Sequence, residues 1–171
     1  MIEVISYLNP VTVILYLLVL SGLFLAGSRT DRIGAVTKLM FKLSFGLGYC
    51  FVLAIITLLS REAGSRDGLD LLPFATLGRG AASDAYVVEN VLLFIPFGFL
   101  LAYIFPGIKS GLKAAVIGLA VSLLIETTQY LTGCGYAQTD DLLTNMLGAW
   151  IGYLVYRGLK RLGDRLYMKS S

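Results

Sequence analysis

The sequence predicts an all-α integral membrane bundle of about five transmembrane helices, N-terminus outside and C-terminus cytoplasmic. Composition is the first reason: 57% of the 171 residues are hydrophobic, 15% are charged, and mean hydropathy is +0.78. Soluble domains carry roughly 25% charged residues, and a water-facing globule of this composition would aggregate. The second reason is a succession of apolar runs of spanning length, about 20 residues each, with little chain left for a soluble domain. The third is the placement of basic residues, which cluster in alternate connections.

The first span is the charge-free stretch 4–28, centred on Val11 to Leu20. Glu3 precedes it and Arg29 and Arg32 follow it, an order that suits a retained anchor better than a cleaved leader. The second runs from Leu43 to Ser60 between Lys42 and Arg61, with Gly46, Cys50 and Ala54 as a small-residue stripe for close packing. The third covers Asn90 to Phe105 and stops at Pro106-Gly107. The fourth runs from Ala114 to about Thr132 and ends at Gly133 and Gly135. The fifth extends from Asp141 or Leu142 to Tyr156 and is closed by Arg157. The whole chain, 1–171, reads as a single membrane domain. Its one long connection, Arg61 to Val88, holds an apolar island from Leu71 to Leu77, which suits either an interfacial or re-entrant segment or a loop packed on the helix ends.

Orientation follows from the connections. Arg29, Arg32, Lys38 and Lys42 fall between the first two spans, Lys109 and Lys113 between the third and fourth, and Arg157, Lys160, Arg161, Arg165 and Lys169 in the tail. These alternate segments hold all but three of the 14 basic residues and, of the acids, only Asp31 and Asp164. They therefore belong on the cytoplasmic side of the membrane.

Several chemistries are excluded. Histidine is absent, which removes His-dependent zinc sites and serine-histidine triads. There is no Gly-rich phosphate loop and no basic-aromatic pattern for nucleic acid. No cofactor is indicated and no metal-ligand spacing is present. Cys50 falls mid-span and Cys134 in a loop close to the surface, so both are expected as free thiols.

What remains is a polar layer at one depth. From Lys113 to Glu126 the helix rises about 20 Å, from Arg157 back to Asp141 about 24 Å and to Asn145 about 18 Å, and from Phe105 back to Asn90 about 22 Å. Against a hydrocarbon thickness of about 30 Å, all four fall in the outer leaflet. Glu126 and Gln129 share a face with Ser122 a turn below, and Asp141, Asn145, Gly148 and Gly152 share another, polar above and small below. Intramembrane carboxylates are costly and usually functional. Interhelical pairing that locks register is the plainer alternative, and it weighs more for Asn90 and Asn145.

The stretches Glu89-Asn-Val-Leu-Leu-Phe-Ile-Pro-Phe-Gly-Phe-Leu-Leu101, Ser122-Leu-Leu-Ile-Glu-Thr-Thr-Gln129 and Asp140-Asp-Leu-Leu-Thr-Asn-Met-Leu-Gly148, preceded by Leu72-Pro-Phe-Ala-Thr76, resemble the VanZ-like family. The resemblance covers about 71–156. It implies a small multi-span membrane protein of the kind associated with reduced susceptibility to teicoplanin and related lipoglycopeptides. It points to Asn90, Pro96, Gly98, Glu126, Gln129, Asp141, Asn145 and Gly148, and the candidate binding set is Asn90, Glu126, Gln129, Asp140, Asp141 and Asn145. Family members often carry an arginine before the final Asp. Here Gly133 to Asp140 holds no basic residue, so Arg61, Arg66 or Arg79 would have to supply that charge.

Three functions are compatible. The layer could bind a membrane lipid, a lipid-linked or amphiphilic envelope ligand, or an inserted lipoglycopeptide, with Phe94, Phe97 and Tyr130 as walls. It could be an enzyme site, Glu126 acting as general base and Asp141 holding Mg2+ or Ca2+ through oxygen ligands. Or it could serve only to lock the bundle.

Overall fold

The computed structural model describes residues 34–59, 68–74, 76, 79–135 and 137–170. The expected first span lies outside the described residues, as do Arg61 and Arg66. The chain divides into Met1–Phe41 and Lys42–Ser171; of the former, the described residues are the opening turns of a helix, and the bundle belongs to the latter.

That helix, α1, spans Ala35–Ala54 and passes into a single π-helical turn, Ile55–Leu59. It starts two turns earlier than expected because nothing between Val36 and Lys42 breaks a helix. Its packed face keeps Gly46 of the expected small-residue stripe, where an added methyl group would strike the Ile104 side chain, but not Cys50. Tyr49, Leu53 and Thr57 are buried, whereas Cys50 is exposed. The choice is made by a polar group: the Tyr49 hydroxyl donates to the Leu93 carbonyl of the neighbouring helix. That carbonyl lies in the turn loosened by Pro96, which has no N–H to give Leu92.

Helix α2 covers Ala81–Ile104, beginning well before Asn90 and placing Asp84 in its first turn, where a carboxylate suits the helix dipole. Helix α3, Gly111–Thr132, ends on Gly133 in the left-handed region (φ 63°), and the N–H groups of Gly133 and Cys134 return to the carbonyls of Tyr130 and Gln129. This cap folds Cys134 inward, so it is buried rather than near the surface; both cysteines are free. Helix α4 runs without interruption over Thr139–Ser170, far beyond the expected stop at Tyr156. Arg157 marks a change of environment there, not the end of the helix. Two short strands, β1 (Leu69–Asp70) and β2 (Ala137–Gln138), pair in parallel and tie the long connection to the turn before α4.

Three helices, Ala35–Leu58, Ser83–Ile104 and Gly111–Thr132, are long and apolar enough to cross a membrane. Their outward faces carry Phe51, Leu92, Leu124 and Leu131, all more than half exposed, as lipid-facing surfaces do. Helix α4 packs between α2 and α3 and turns Thr144, Asn145 and Tyr153 inward, so it has less need of an all-round apolar surface.

The contact between α2 and α4 is a meeting of backbones. A methyl group at Gly148 would overlap the Val91 carbonyl, one at Gly152 the Ile95 carbonyl, and one at Gly98 the Ala149 carbonyl. Without a hydrophobic drive between helices in lipid, such close approach supplies the dispersion contacts that hold them. At one end of the bundle Lys42 Nζ sits 4.4 Å above the Tyr103 ring, and Tyr156 packs edge-on against Phe99 and Tyr103 at 5.4 and 6.1 Å. Aromatic and basic side chains thus share this end of the bundle. The polar layer lies at the other.

Gly152→Val should lower stability by about 1–3 kcal/mol, because the clash is with backbone rather than a movable side chain. Gly48→Ala, where nothing lies within 4 Å, should leave stability unchanged or slightly raised. Thermal unfolding in detergent compares the two.

Candidate functional site

Each helix contributes a polar group for a local reason. On α3, Ser122, Glu126 and Gln129 recur at helical spacing on the face turned to α4, with exposures of 0, 4 and 2%. On α4, Asp141 and Asn145 lie one turn apart, and on α2 Asn90 faces them. The contacts knit three helices: Asn90 Nδ2 donates to Asp141 Oδ1 (2.7 Å), Asn145 Nδ2 donates to Ser122 Oγ (2.8 Å), and Ser122 Oγ donates to the Asp141 carbonyl (3.5 Å). Glu126 Oε2 accepts from the Gln138 N–H at 3.0 Å, so the carboxylate fixes β2. Gln129 Nε2 donates to the Thr57 carbonyl at 2.9 Å, inside the π-turn of α1. Asn90, Ser122, Glu126, Gln129, Asp141 and Asn145 therefore lie at one end of the bundle. Each of the two carboxylates Glu126 and Asp141 has its own donor.

Two amide oxygens, Gln129 Oε1 and Asn145 Oδ1, are buried without a hydrogen-bond partner among the described residues. Leaving such a group unmade costs about 1–3 kcal/mol. The layer thus retains acceptor capacity beside a buried carboxylate.

Asp140 does something different. Its two oxygens accept from the backbone N–H groups of Phe74 (2.5 Å) and Thr76 (2.7 Å), pinning the long connection against the head of α4. Phe74 is held in the left-handed region, φ 62°, a strained backbone for a side-chain-bearing residue. Burial pushes the Asp140 carboxyl up, but the amides and hydroxyl of this loop and the nearby Arg79 guanidinium outweigh it and hold the group below the usual carboxylate range. Of the three arginines expected to replace the family's missing one, Arg79 is the one among the described residues, and its charge acts on Asp140.

Beside the layer a groove of about 190 Å³ opens sideways between Leu69 and Leu71 of the connection and Leu123, Tyr130 and Leu142 of the helices. Glu126 is the only ionisable residue of its lining apart from the Tyr130 phenol. Tyr130 stands in its wall as expected; Phe94 and Phe97 do not. They are 0 and 8% exposed and contact each other at 5.5 Å, Phe94 being seated over the bare backbone of Gly148. Among the described residues no three His, Cys, Asp or Glu side chains converge as a metal site.

Sequence reading missed Thr57 and the backbone of Gln138. Thr57 had a signal, a lone hydroxyl residue in an apolar run; a backbone amide leaves none.

Because the Asp140 carboxyl is lowered by folding, its contribution is complete above the unfolded-state value and disappears as pH falls through the folded one. Asp140→Asn should therefore lower stability at neutral pH and flatten the acid limb of the stability profile. Protease cutting in 68–80 should rise in the variant at neutral pH, and in the native protein only under acid conditions.

No solved structure matches the chain. Protein VanZ from Enterococcus faecium is 34% identical over 88 residues, covering 52% of each chain, so the match spans about half the length of that relative. The VanZ/LLP1 family profile matches residues 13–161, nearly the whole chain and all four described helices through Arg161. The chain belongs to the VanZ/LLP1 family.

Proposed function

We propose that the chain is a multi-pass protein of the bacterial plasma membrane whose polar layer, in the outer leaflet, binds a lipid-linked envelope component or the acyl tail of an inserted lipoglycopeptide, and thereby reduces susceptibility to teicoplanin. The observation that carries this reading is Glu126, 4% exposed, in the wall of a groove whose other lining includes Leu69, Leu71, Leu123 and Leu142. A groove of about 190 Å³ is smaller than the roughly 300–1,000 Å³ of a drug-sized site, so it suits a chain segment or part of a headgroup rather than a whole glycopeptide. Apolar walls from Leu69, Leu71 and Leu123 favour an acyl or isoprenoid chain, and Glu126 favours a hydrogen-bond donor at its end.

The same reading takes residues 1–171 as one domain and counts five spans. The segment 4–28 is the first, and α4 from Asp141 to Tyr156 is the last, polar where it is enclosed by α2 and α3. The N-terminus is outside. In a Cys50→Ser, Cys134→Ser background, Ser110→Cys should label only after permeabilisation and Ser65→Cys in intact cells. The reverse pattern would remove the outer-leaflet assignment.

A purely structural layer is the second reading, favoured by the Asn90–Asp141 and Ser122–Asn145 bonds, which by themselves register three helices. Glu126→Gln and Asp141→Asn separate the two. If the layer binds ligand, both variants accumulate and melt near the native temperature yet lose most of the teicoplanin phenotype. If it only locks the bundle, these near-isosteric changes keep the phenotype, while Glu126→Ala and Asp141→Leu lower the melting temperature.

A further inference from the structure

Beyond Tyr156 helix α4 leaves the bundle but stays helical to Ser170. The boundary is marked independently of the sequence: the Tyr156 ring packs on Phe99 and Tyr103, in the same aromatic cluster that Lys42 caps. From there on every described side chain through Met168, after half-buried Arg157, is exposed. At about 100° per residue, Leu159, Leu162 and Leu166 fall within about 60° of one another, while Arg157, Lys160, Arg161 and Arg165 occupy the opposite arc and flanks. Their exposures of 46, 54 and 61% describe a leucine stripe left uncovered among the described residues. Asp164 is the only acid in the segment. Gly158 and Gly163, with nothing within 4 Å of an added methyl group, sit where the helix leaves the bundle and midway along its extension.

We propose that residues 158–170 form an amphipathic anchor that lies on the adjoining leaflet, pivoting at Gly158, with the leucine stripe in the interface and the basic arc on anionic lipid headgroups. Charge complementarity selects this occupant. Within 158–170 four cations, Lys160, Arg161, Arg165 and Lys169, against one acid match an anionic lipid surface, and the flanking positions of Lys160 and Arg165 suit headgroups on either side of the buried stripe. A helix left standing along the bilayer normal would hold three leucines in water. The inference does not depend on which side of the membrane the C-terminus occupies, nor on the ligand of the polar layer.

The full chain, in the same cysteine-free background, is spin-labelled singly at positions 159, 162, 164 and 166 and reconstituted in phosphatidylcholine vesicles with or without one part in three of phosphatidylglycerol. With the anionic lipid, labels at 159, 162 and 166 should lose accessibility to a water-soluble nickel relaxant several-fold and gain accessibility to oxygen, while the label at 164 stays in water. Lys160→Gln, Arg161→Gln and Arg165→Gln together should abolish this dependence, with the thermal unfolding of the bundle unchanged. Equal accessibility at all four positions in both vesicles would overturn the proposal. So would immersion that ignores anionic lipid, or protection that tracks protein-to-lipid ratio and brings labels of two chains together, which would assign the stripe to a second copy.

Discussion

Everything in this bundle rests on how closely α2 and α4 approach. Val91, Ile95 and Ala149 carbonyls are set against bare Cα atoms at Gly148, Gly152 and Gly98, leaving no room for a methyl group between the two helices. That separation puts Asn90 within 2.7 Å of Asp141. It also seats Phe94 over Gly148 and leaves α3 to close the remaining side through Gly118, where an added methyl group would strike Ala149. The polar layer is therefore a product of the glycine seam beneath it. Widening the seam by one methyl would separate donors from acceptors in a medium that offers no water to replace them.

The layer in turn organises what lies above it. Glu126 holds β2 through Gln138, β2 pairs with β1, and Asp140 grips the backbone at Phe74 and Thr76. Leu69 and Leu71 are delivered to the groove by these polar contacts, since neither is buried by packing. A single carboxylate thus both shapes the wall of the groove and faces into it. Ligand and loop would be coupled through Glu126 for this reason.

Much of this was legible beforehand, because helical rise and periodicity are rigid rules. Glu126, Gln129 and Ser122 had to share a face, and their height relative to Lys113 followed from the rise alone. The Asp141, Asn145, Gly148, Gly152 face was equally readable. What escaped was set by tertiary hydrogen bonds or backbone geometry. Nothing in the spacing of Gly46, Cys50 and Ala54 distinguishes that stripe from the face of Tyr49, Leu53 and Thr57; the Leu93 carbonyl does. Cys134 is drawn in by a left-handed cap at Gly133. Asp140 appeared to be one more acid beside Asp141, yet adjacent residues on a helix point about 100° apart, and it grips the loop while its neighbour meets Asn90. The first expected span, 4–28, and Arg61 and Arg66 lie outside the described residues.

The pairing of Leu69–Asp70 with Ala137–Gln138 has a bearing on biosynthesis. Strand β1 leaves the ribosome long before its partner, and both the partner and Asp140 follow α3. The connection has therefore to wait, unclosed, while α2 and α3 are synthesised, and it gains its final shape only as α4 arrives. Assembly of this part is thus ordered backwards: the turn before α4 completes a loop made before α2. A nascent chain arrested before residue 137 would hold three of its helices and still have no groove.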